Sequence, residues 1–108
     1  MKGSTAILIL SLLEREEMYG YQITQKLKLE SNNVFEMKEG TLYPMLHALE
    51  NEHAIVSYWV DADNGKKRKY YRITDLGRKV FKEKKQEWEI YSNAVNKIIG
   101  GILVEEFA

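Results

Sequence analysis

The sequence predicts a mainly α fold that carries one β-hairpin, with elements in the order helix, helix, helix, strand, strand, helix. Two observations lead to this prediction. Helical patterns occupy the chain before residue 52 and after residue 74. Between them, residues 55–73 are rich in β-branched and aromatic side chains and are divided by Asn64-Gly65, a pair typical of hairpin turns. A length of 108 residues suits one domain.

The first helix is expected over about Ser4 to Glu16. It is apolar on nearly all sides, so more than one of its surfaces must be covered. A small domain offers limited cover, and a partner subunit could supply the remainder through contacts with Ile7 and Leu10. The apolar run is too short to cross a membrane, and we expect no membrane partner.

The second helix is expected from about Tyr21 to Glu30, and residues 31–33 (Ser-Asn-Asn) favour its end. A third helix begins near residues 38–40. Its apolar stripe has the spacing of one helical face: Leu42, Met45, Leu46 and Leu49. The opposite face carries polar and aromatic candidates for recognition: Lys38, Thr41, Tyr43, His47 and Glu50.

The hairpin is expected to have strands at residues 55–60 and 67–73. Its Asn64-Gly65 pair suits a type I′ turn, in which both residues take positive φ. Strand alternation predicts Lys67 and Lys69 on one side of the return strand, with Arg68 and Tyr70 on the other. We interpret Trp59, on the first strand, as structural.

Charge is concentrated although the formal net charge is zero. Residues 64–85 hold ten of the sixteen Lys and Arg residues against two acids, Asp75 and Glu83. A neutral protein with one basic face can bind a polyanion locally. The hairpin cations are candidates for phosphate contact, with simple solvation as the alternative: Lys66, Lys67, Arg68 and Lys69.

The last helix is expected to start at Thr74 or Asp75 and to reach Ile99. It carries a stripe with heptad spacing: Phe81, Lys84, Trp88, Tyr91, Val95, Ile98 and Ile102. Apart from the lysine, this is the seam of a coiled coil, so we predict dimerisation through Phe81, Trp88, Tyr91, Val95 and Ile98. Packing against the chain's own domain is the alternative.

Three helices followed by a basic hairpin form a winged helix-turn-helix, here with a C-terminal dimerisation helix. In that arrangement the third helix enters the major groove of double-stranded DNA and the hairpin lies along the flanking backbone. The expected units are residues 1–74, the DNA-binding domain, and residues 75–108, the dimerisation helix and tail. The DNA-binding candidates are Lys38, Thr41, Tyr43, His47, Lys66, Lys67, Arg68 and Lys69.

Several segments together resemble the PadR family of bacterial transcriptional regulators: YGYQI at 19–23, EGTLYPMLHALE at 39–50 and YYRITDLG at 70–77. The short tail resembles the small subfamily with a single C-terminal helix. One departure is Ala54, where the family often has glycine after the third helix. The resemblance implies a homodimer in the bacterial cytoplasm that binds a palindromic operator and represses genes for detoxification or efflux.

In multidrug-sensing members of that subfamily, a tryptophan on this helix stacks planar compounds at the dimer interface. Trp88 matches its position by distance from the ITDLG segment. The resemblance therefore implies a planar aromatic ligand held by Trp88, Tyr91 and Lys84. Plain packing of Trp88 in the seam is the alternative.

Other classes of function find little support. His47 and His53 do not share a helical face and there is no cysteine, so we expect no metal and no cofactor. No nucleophile–base arrangement is visible, and we expect no catalytic residue and no enzyme. Two alternatives to a DNA-binding regulator stay open: a small-molecule-binding dimer with little specific DNA binding, and a winged-helix adaptor for protein interactions.

Overall fold

The computed structural model describes residues 2–100. It contains four helices and a three-stranded antiparallel sheet with strand order β1-β3-β2. The elements are α1 (Lys2–Arg15), β1 (Met18–Tyr19), α2 (Gly20–Glu30), α3 (Glu39–Asn51), β2 (Ile55–Asp61), β3 (Lys67–Ile73) and α4 (Asp75–Ile99). This is the predicted winged helix with a C-terminal helix, and the bounds of β3 agree with the prediction. Met1 and residues 101–108, including seam residue Ile102, lie outside the described residues.

Strand β1 was not predicted from the sequence. It pairs antiparallel with β3, with Met18 opposite Tyr71 and Tyr19 opposite Tyr70. A two-residue strand is too short to show alternation, and its partner lies some fifty residues along the chain. The pairing closes the free edge of β3 and ties the beginning of α2 to the hairpin.

The predicted type I′ turn is wrong. Of the Asn64-Gly65 pair, only Gly65 has a positive φ, +79°. The Gly65 amide donates to the Ala62 carbonyl at 3.0 Å, and the Ala62 amide donates to the Lys66 carbonyl at 2.7 Å. The connection is therefore a three-residue loop with glycine at its left-handed position, a geometry that the same residue pair also suits. The Asn64 Oδ1 atom accepts from the Lys66 amide at 3.1 Å and stiffens this tip.

The core lies between the helices and one face of the sheet. The predicted stripe of α3 faces it, with Leu42, Leu46 and Leu49 buried. The apolar part of α1 packs deeply as well, and Leu10 is 0% exposed. Tyr71 and Ile73 close the core from β3. The winged part of the chain thus has a buried core of its own.

Helices α2 and α3 both end at left-handed backbone. After α2, Asn32 has φ 52° and Asn33 has φ 68°, and after α3, His53 has φ 61°. After α3, the His53 amide donates to the Glu50 carbonyl and the Ala54 amide to the Leu49 carbonyl, both at 2.9 Å. This pair of bonds defines a Schellman motif, in which the left-handed residue is most often glycine. The strained position is therefore His53, one residue before the family difference at Ala54.

The beginning of α4 is fixed against the end of α3. Thr74 caps the helix, as predicted, since its Oγ1 accepts from the Gly77 amide at 3.0 Å. The same hydroxyl donates to the His53 carbonyl at 2.6 Å. A Cβ atom at Gly77 would lie 2.0 Å from the Ala54 carbonyl oxygen, so only glycine permits this approach. The junction sets the direction in which α4 leaves the winged domain.

Candidate nucleic-acid interface

The first turns of α3 present a polar surface. Lys38 occupies the N-cap position with an extended backbone (φ −90°, ψ 161°), and Lys38, Thr41 and His47 are all exposed. Gly40 has open space around it, with no atom within 4 Å of where its Cβ would be. The N-terminal part of a recognition helix is the part that reaches base edges. Three of the four residues predicted on this helix are therefore free to meet a ligand.

Tyr43 packs against α2 and is also partly exposed at the surface. Its hydroxyl lies against Gly20 on α2, where a Cβ would be 2.5 Å away. The side chain remains 38% exposed. The ring thus helps to set the angle between α2 and α3, which are the two helices of the helix-turn-helix. Both interpretations of this residue, packing between helices and exposure to DNA, are compatible with its position.

The hairpin of β2 and β3, residues 55–73, is the wing, and the side facing α3 is its inner face. Ser57 Oγ donates to Glu50 Oε2 on α3 at 2.9 Å. Lys69 Nζ lies 4.0 Å from Glu50 Oε1 and 5.7 Å from the centre of the Tyr71 ring. Lys69 is therefore half-buried and lies close to Glu50, so it is less open to a phosphate than the cations at the wing tip. Glu50 joins the recognition helix to the wing.

Tyr71 lies behind this junction and is 1% exposed. Its hydroxyl makes no hydrogen bond within the described residues. Burial, followed by the nearby Glu50 and Tyr43, raises the pKa of Tyr71 to about 12. The residue is therefore uncharged at neutral pH and serves as part of the core.

The outer face of the wing carries a tyrosine cluster that was not predicted from the sequence. The Tyr70 ring lies 5.3 Å from that of Tyr19 and 5.9 Å from that of Tyr58, between centroids. The Arg68 guanidinium lies 4.6 Å from the centre of the Tyr19 ring. These contacts confirm the predicted alternation, with Arg68 and Tyr70 opposite Lys69. Only the β1–β3 register brings Tyr19 to the wing, so spacing along the chain gave no signal for it.

Tyr58 extends the cluster to the segment before β1. Its hydroxyl donates to the Glu17 carboxylate, and this hydrogen bond is the main cause that raises the pKa of Tyr58. Tyr58 also stacks on Tyr70, so the edge strand β2 is connected across the sheet. The wing is therefore held from both faces.

The cations at the wing tip make no ion pair within residues 5–100, although Asp61 lies opposite Lys67 in the strand register. Lys66, Lys67 and Arg68 are exposed. Of the four predicted wing cations, only Lys69 forms an ion pair with an acid within residues 5–100. The wing that carries these exposed charges is bonded to α3 through Ser57 and Glu50. The recognition helix and the wing are thus two candidate contact elements that are joined at Glu50.

Helix α4 carries the second candidate surface. The Trp88 and Tyr91 rings lie 5.8 Å apart and are tilted by 35°. Trp88 is 45% exposed and Ile98 is 66% exposed, while Val95 and Lys84 are half-buried. The predicted seam therefore keeps a free apolar side over its later turns.

Two residues predicted for dimerisation lie elsewhere. Leu10 is fully buried within the protomer, and Phe81 packs in the same core with 9% of its surface exposed. Leu10 has no surface left for a partner and Phe81 has little, because the core of the protomer covers them. Ile7 is half-buried against that core. The dimer candidates therefore reduce to Trp88, Tyr91, Val95 and Ile98, with Ile7 at the margin.

The fold and the candidate surface define a class of protein, the winged-helix transcriptional regulators. Comparison with known proteins identifies the same class. Residues 9–83 match the model of the transcriptional regulator PadR-like family. The chain belongs to the PadR-like family and is a transcriptional regulator, and DNA binding follows from the family and the winged fold.

Several relatives match most of this chain in sequence, and two of them match it in structure as well. A transcriptional regulator from Clostridium thermocellum is 37% identical with a TM-score of 0.81, covering 90% of this chain and 94% of that one. A PadR-like transcriptional regulator from Bacillus cereus is 36% identical with a TM-score of 0.79, covering 91% and 93%. A transcriptional regulator from Mycobacterium tuberculosis is 34% identical over 79% of this chain and 73% of its own length.

The described part of the chain offers neither a metal site nor a membrane-spanning helix. No group of three His, Asp or Glu side chains among those residues could hold a metal ion. Of the helices described, none is both long and apolar enough to cross a bilayer.

Proposed function

We propose that this regulator is a dimeric repressor that acts in the bacterial cytoplasm on a palindromic operator. Helix α3 would enter the major groove and read bases through Thr41 and His47, with Lys38 on a phosphate. The wing tip would hold the flanking backbone through Lys66, Lys67 and Arg68. The observation that supports the proposal is that exposed α3 residues and exposed wing cations lie on two elements bonded to each other through Glu50.

Dimerisation would occur through α4. Exposed apolar side chains on this helix have no cover within the described protomer, and burying them against a second copy is favourable. A two-fold dimer would place two α3 helices about one turn of DNA apart, roughly 34 Å. A palindromic operator fits that symmetry because each half-site meets the same residues.

Release by a small molecule is the regulatory part of the proposal. Trp88 and Tyr91 offer exposed rings next to the half-buried Lys84. If Trp88 meets its symmetry mate, a planar aromatic compound could stack between the indoles and change the spacing of the recognition helices. Control of detoxification or efflux genes rests on the family resemblance alone.

The DNA part of the proposal is tested by fluorescence anisotropy with two labelled duplexes, one from the chain's own upstream region and one of mixed sequence. At one stated salt concentration, the upstream duplex should bind about a thousandfold more tightly or better. Thr41→Ala should reduce this ratio by a factor equivalent to about 1–3 kcal/mol, since its hydroxyl no longer reads a base edge. Asn93→Ala, on the exposed side of α4, is the matched control.

Equal affinity for both duplexes would contradict the operator proposal and favour a small-molecule-binding dimer or an adaptor. The ligand part is tested separately by titrating a planar aromatic dye against the Trp59→Phe variant, in which Trp88 is the sole tryptophan. Quenching of its emission, together with weaker binding of the upstream duplex, is the expected result. Dye binding that persists at full strength in Trp88→Ala would rule this site out.

A further inference from the structure

Trp59 does not have the structural role that its sequence context suggests. It is 64% exposed, so the core does not need it. On β2 it follows Ile55 and Ser57 on the inner face of the wing, and its cross-strand partner is Lys69. A large aromatic side chain that is exposed at a basic surface has apolar area that a bound ligand can cover.

Its place relative to α3 is fixed by the neighbouring residue on the same face. Ser57 is bonded to Glu50 near the end of α3. Trp59 is two residues farther along β2, which is about 7 Å closer to the wing tip. The indole therefore lies just beyond the junction of wing and recognition helix, on the side where the two elements face each other.

In a complex with DNA, this location would lie beside the sugar–phosphate backbone of one strand. With α3 in the major groove and the wing on the flank, the sugar–phosphate strand that borders the groove lies between them. A tryptophan offers two complementary groups to such a strand. Its ring packs on the apolar side of a deoxyribose, and its Nε1–H donates to a phosphate oxygen.

The charges around Trp59 are balanced and do not oppose the same ligand. Lys67 is the next inner-face residue on β3, is exposed, and lies opposite Asp61 at the tip. Lys69 beside Trp59 balances Glu50, so the aromatic position itself is not acidic. The outer face differs, because its tyrosines contact one another and Glu17.

We propose that Trp59 is a DNA-contact residue that packs on one deoxyribose and donates its indole N–H to the adjacent phosphate. The contact is to the backbone, so it strengthens binding to any sequence equally. The inference rests on the proposed function and assigns to the wing a neutral contact in addition to its cations.

Affinity measurements test this on the full chain. Trp59→Ala should weaken binding about tenfold for both the upstream and the mixed-sequence duplex. The dependence of affinity on salt should keep its slope, because no charge is removed. Trp59→Phe, which keeps a ring but loses the N–H, should fall between. Val60→Ala, an apolar truncation on the outer face of the same strand, is the matched control and should match the wild type.

A spectroscopic measurement gives a direct view of the indole. The chain labelled with 5-fluorotryptophan should show two fluorine resonances, of which Trp59→Phe removes one. Adding the mixed-sequence duplex should shift the Trp59 resonance and reduce its sensitivity to solvent.

Four outcomes would overturn the inference. DNA binding that leaves the Trp59 resonance unmoved would by itself overturn the inference. A DNA affinity of Trp59→Ala within about twofold of the wild type would also overturn it. A shift that depends on protein concentration without DNA would assign Trp59 to self-association. Absence of binding to either duplex would overturn the proposed function and this inference with it.

Discussion

The winged domain and helix α4 differ in whether they have a buried core of their own. In the winged domain, the helices and sheet bury a common core, and the functional candidates are polar side chains around it. Helix α4 contributes Phe81 to that core and then exposes Trp88, Ile90, Tyr91, Ile98 and Ile99. The winged domain has its core within one chain, whereas the exposed side of α4 is suited to a partner. The difference predicts that substitutions in the two regions will fail in different ways.

The largest expected effect is on folding of the winged domain. Gly77→Ala should destabilise the protein by about 3 kcal/mol or more, because its Cβ would overlap the Ala54 carbonyl. Gly40→Ala has open space around it and should be neutral or stabilising by up to about 1 kcal/mol. Urea unfolding measures both. Equal stability of the two variants would contradict the close packing of α4 on the end of α3.

The second largest expected effect is on dimer formation, and the fold of each protomer should stay intact. Replacing Val95 and Ile98 together with glutamate should give folded monomers at micromolar concentration, since like charges would face each other across the seam. Sedimentation velocity measures the mass, and circular dichroism checks that helices persist. Ile90→Glu, on the other side of α4, is the control and should remain a dimer. An unchanged dimer in the double variant would show that the seam lies elsewhere.

The contrast between the two regions also explains what the sequence could predict. The stripe of α3, the bounds of β3 and the Thr74 cap depend on local spacing and local hydrogen bonds, and they were predicted correctly. The pairing of β1 with β3 and the bond between Glu50 and the wing join distant segments. The sequence contains no local signal for such contacts. Asn64-Gly65 is compatible with two turn geometries, so it predicted a hairpin but not its loop.

The candidate site shows the same limit. Exposure of Thr41 and His47 followed from helical periodicity. The contact of Lys69 with Glu50 and the exposure of Trp59 were not predicted, because both depend on how the wing meets α3. Leu10 was misassigned because apolarity alone does not show whether a residue faces its own core or a partner.

A smaller expected effect, on the salt dependence of DNA binding, distinguishes the role of the basic tip from that of the recognition helix. Neutralising Lys66, Lys67 and Arg68 together should weaken binding to every duplex and lower the salt slope by about 0.9 for each phosphate that the tip no longer neutralises. Lys69→Gln should lower the slope less than the triple variant does, because Lys69 Nζ lies 4.0 Å from Glu50 Oε1. Affinity measured over a range of salt concentrations gives both slopes. A triple variant with the wild-type slope would mean that the tip does not touch phosphate.

The smallest effect concerns backbone strain at the end of α3. His53→Gly should stabilise the protein by about 0.5–1 kcal/mol, because glycine adopts the left-handed conformation at φ 61° without steric cost. His53→Ala keeps the cost and should give no gain, which separates the backbone effect from removal of the imidazole. The midpoint of urea unfolding reports the difference. A gain in the alanine variant would point to the side chain instead.

Hydroxyl-radical footprinting of the upstream duplex tests the central claim most directly, because it depends on dimerisation, groove entry and wing contact together. The account predicts two protected half-sites related by two-fold symmetry, with centres about 10 base pairs apart. Protection should extend along the backbone at the outer side of each half-site, where the wing lies. A single protected site, or uniform weak protection along the duplex, would contradict a dimeric regulator that holds two recognition helices one turn of DNA apart.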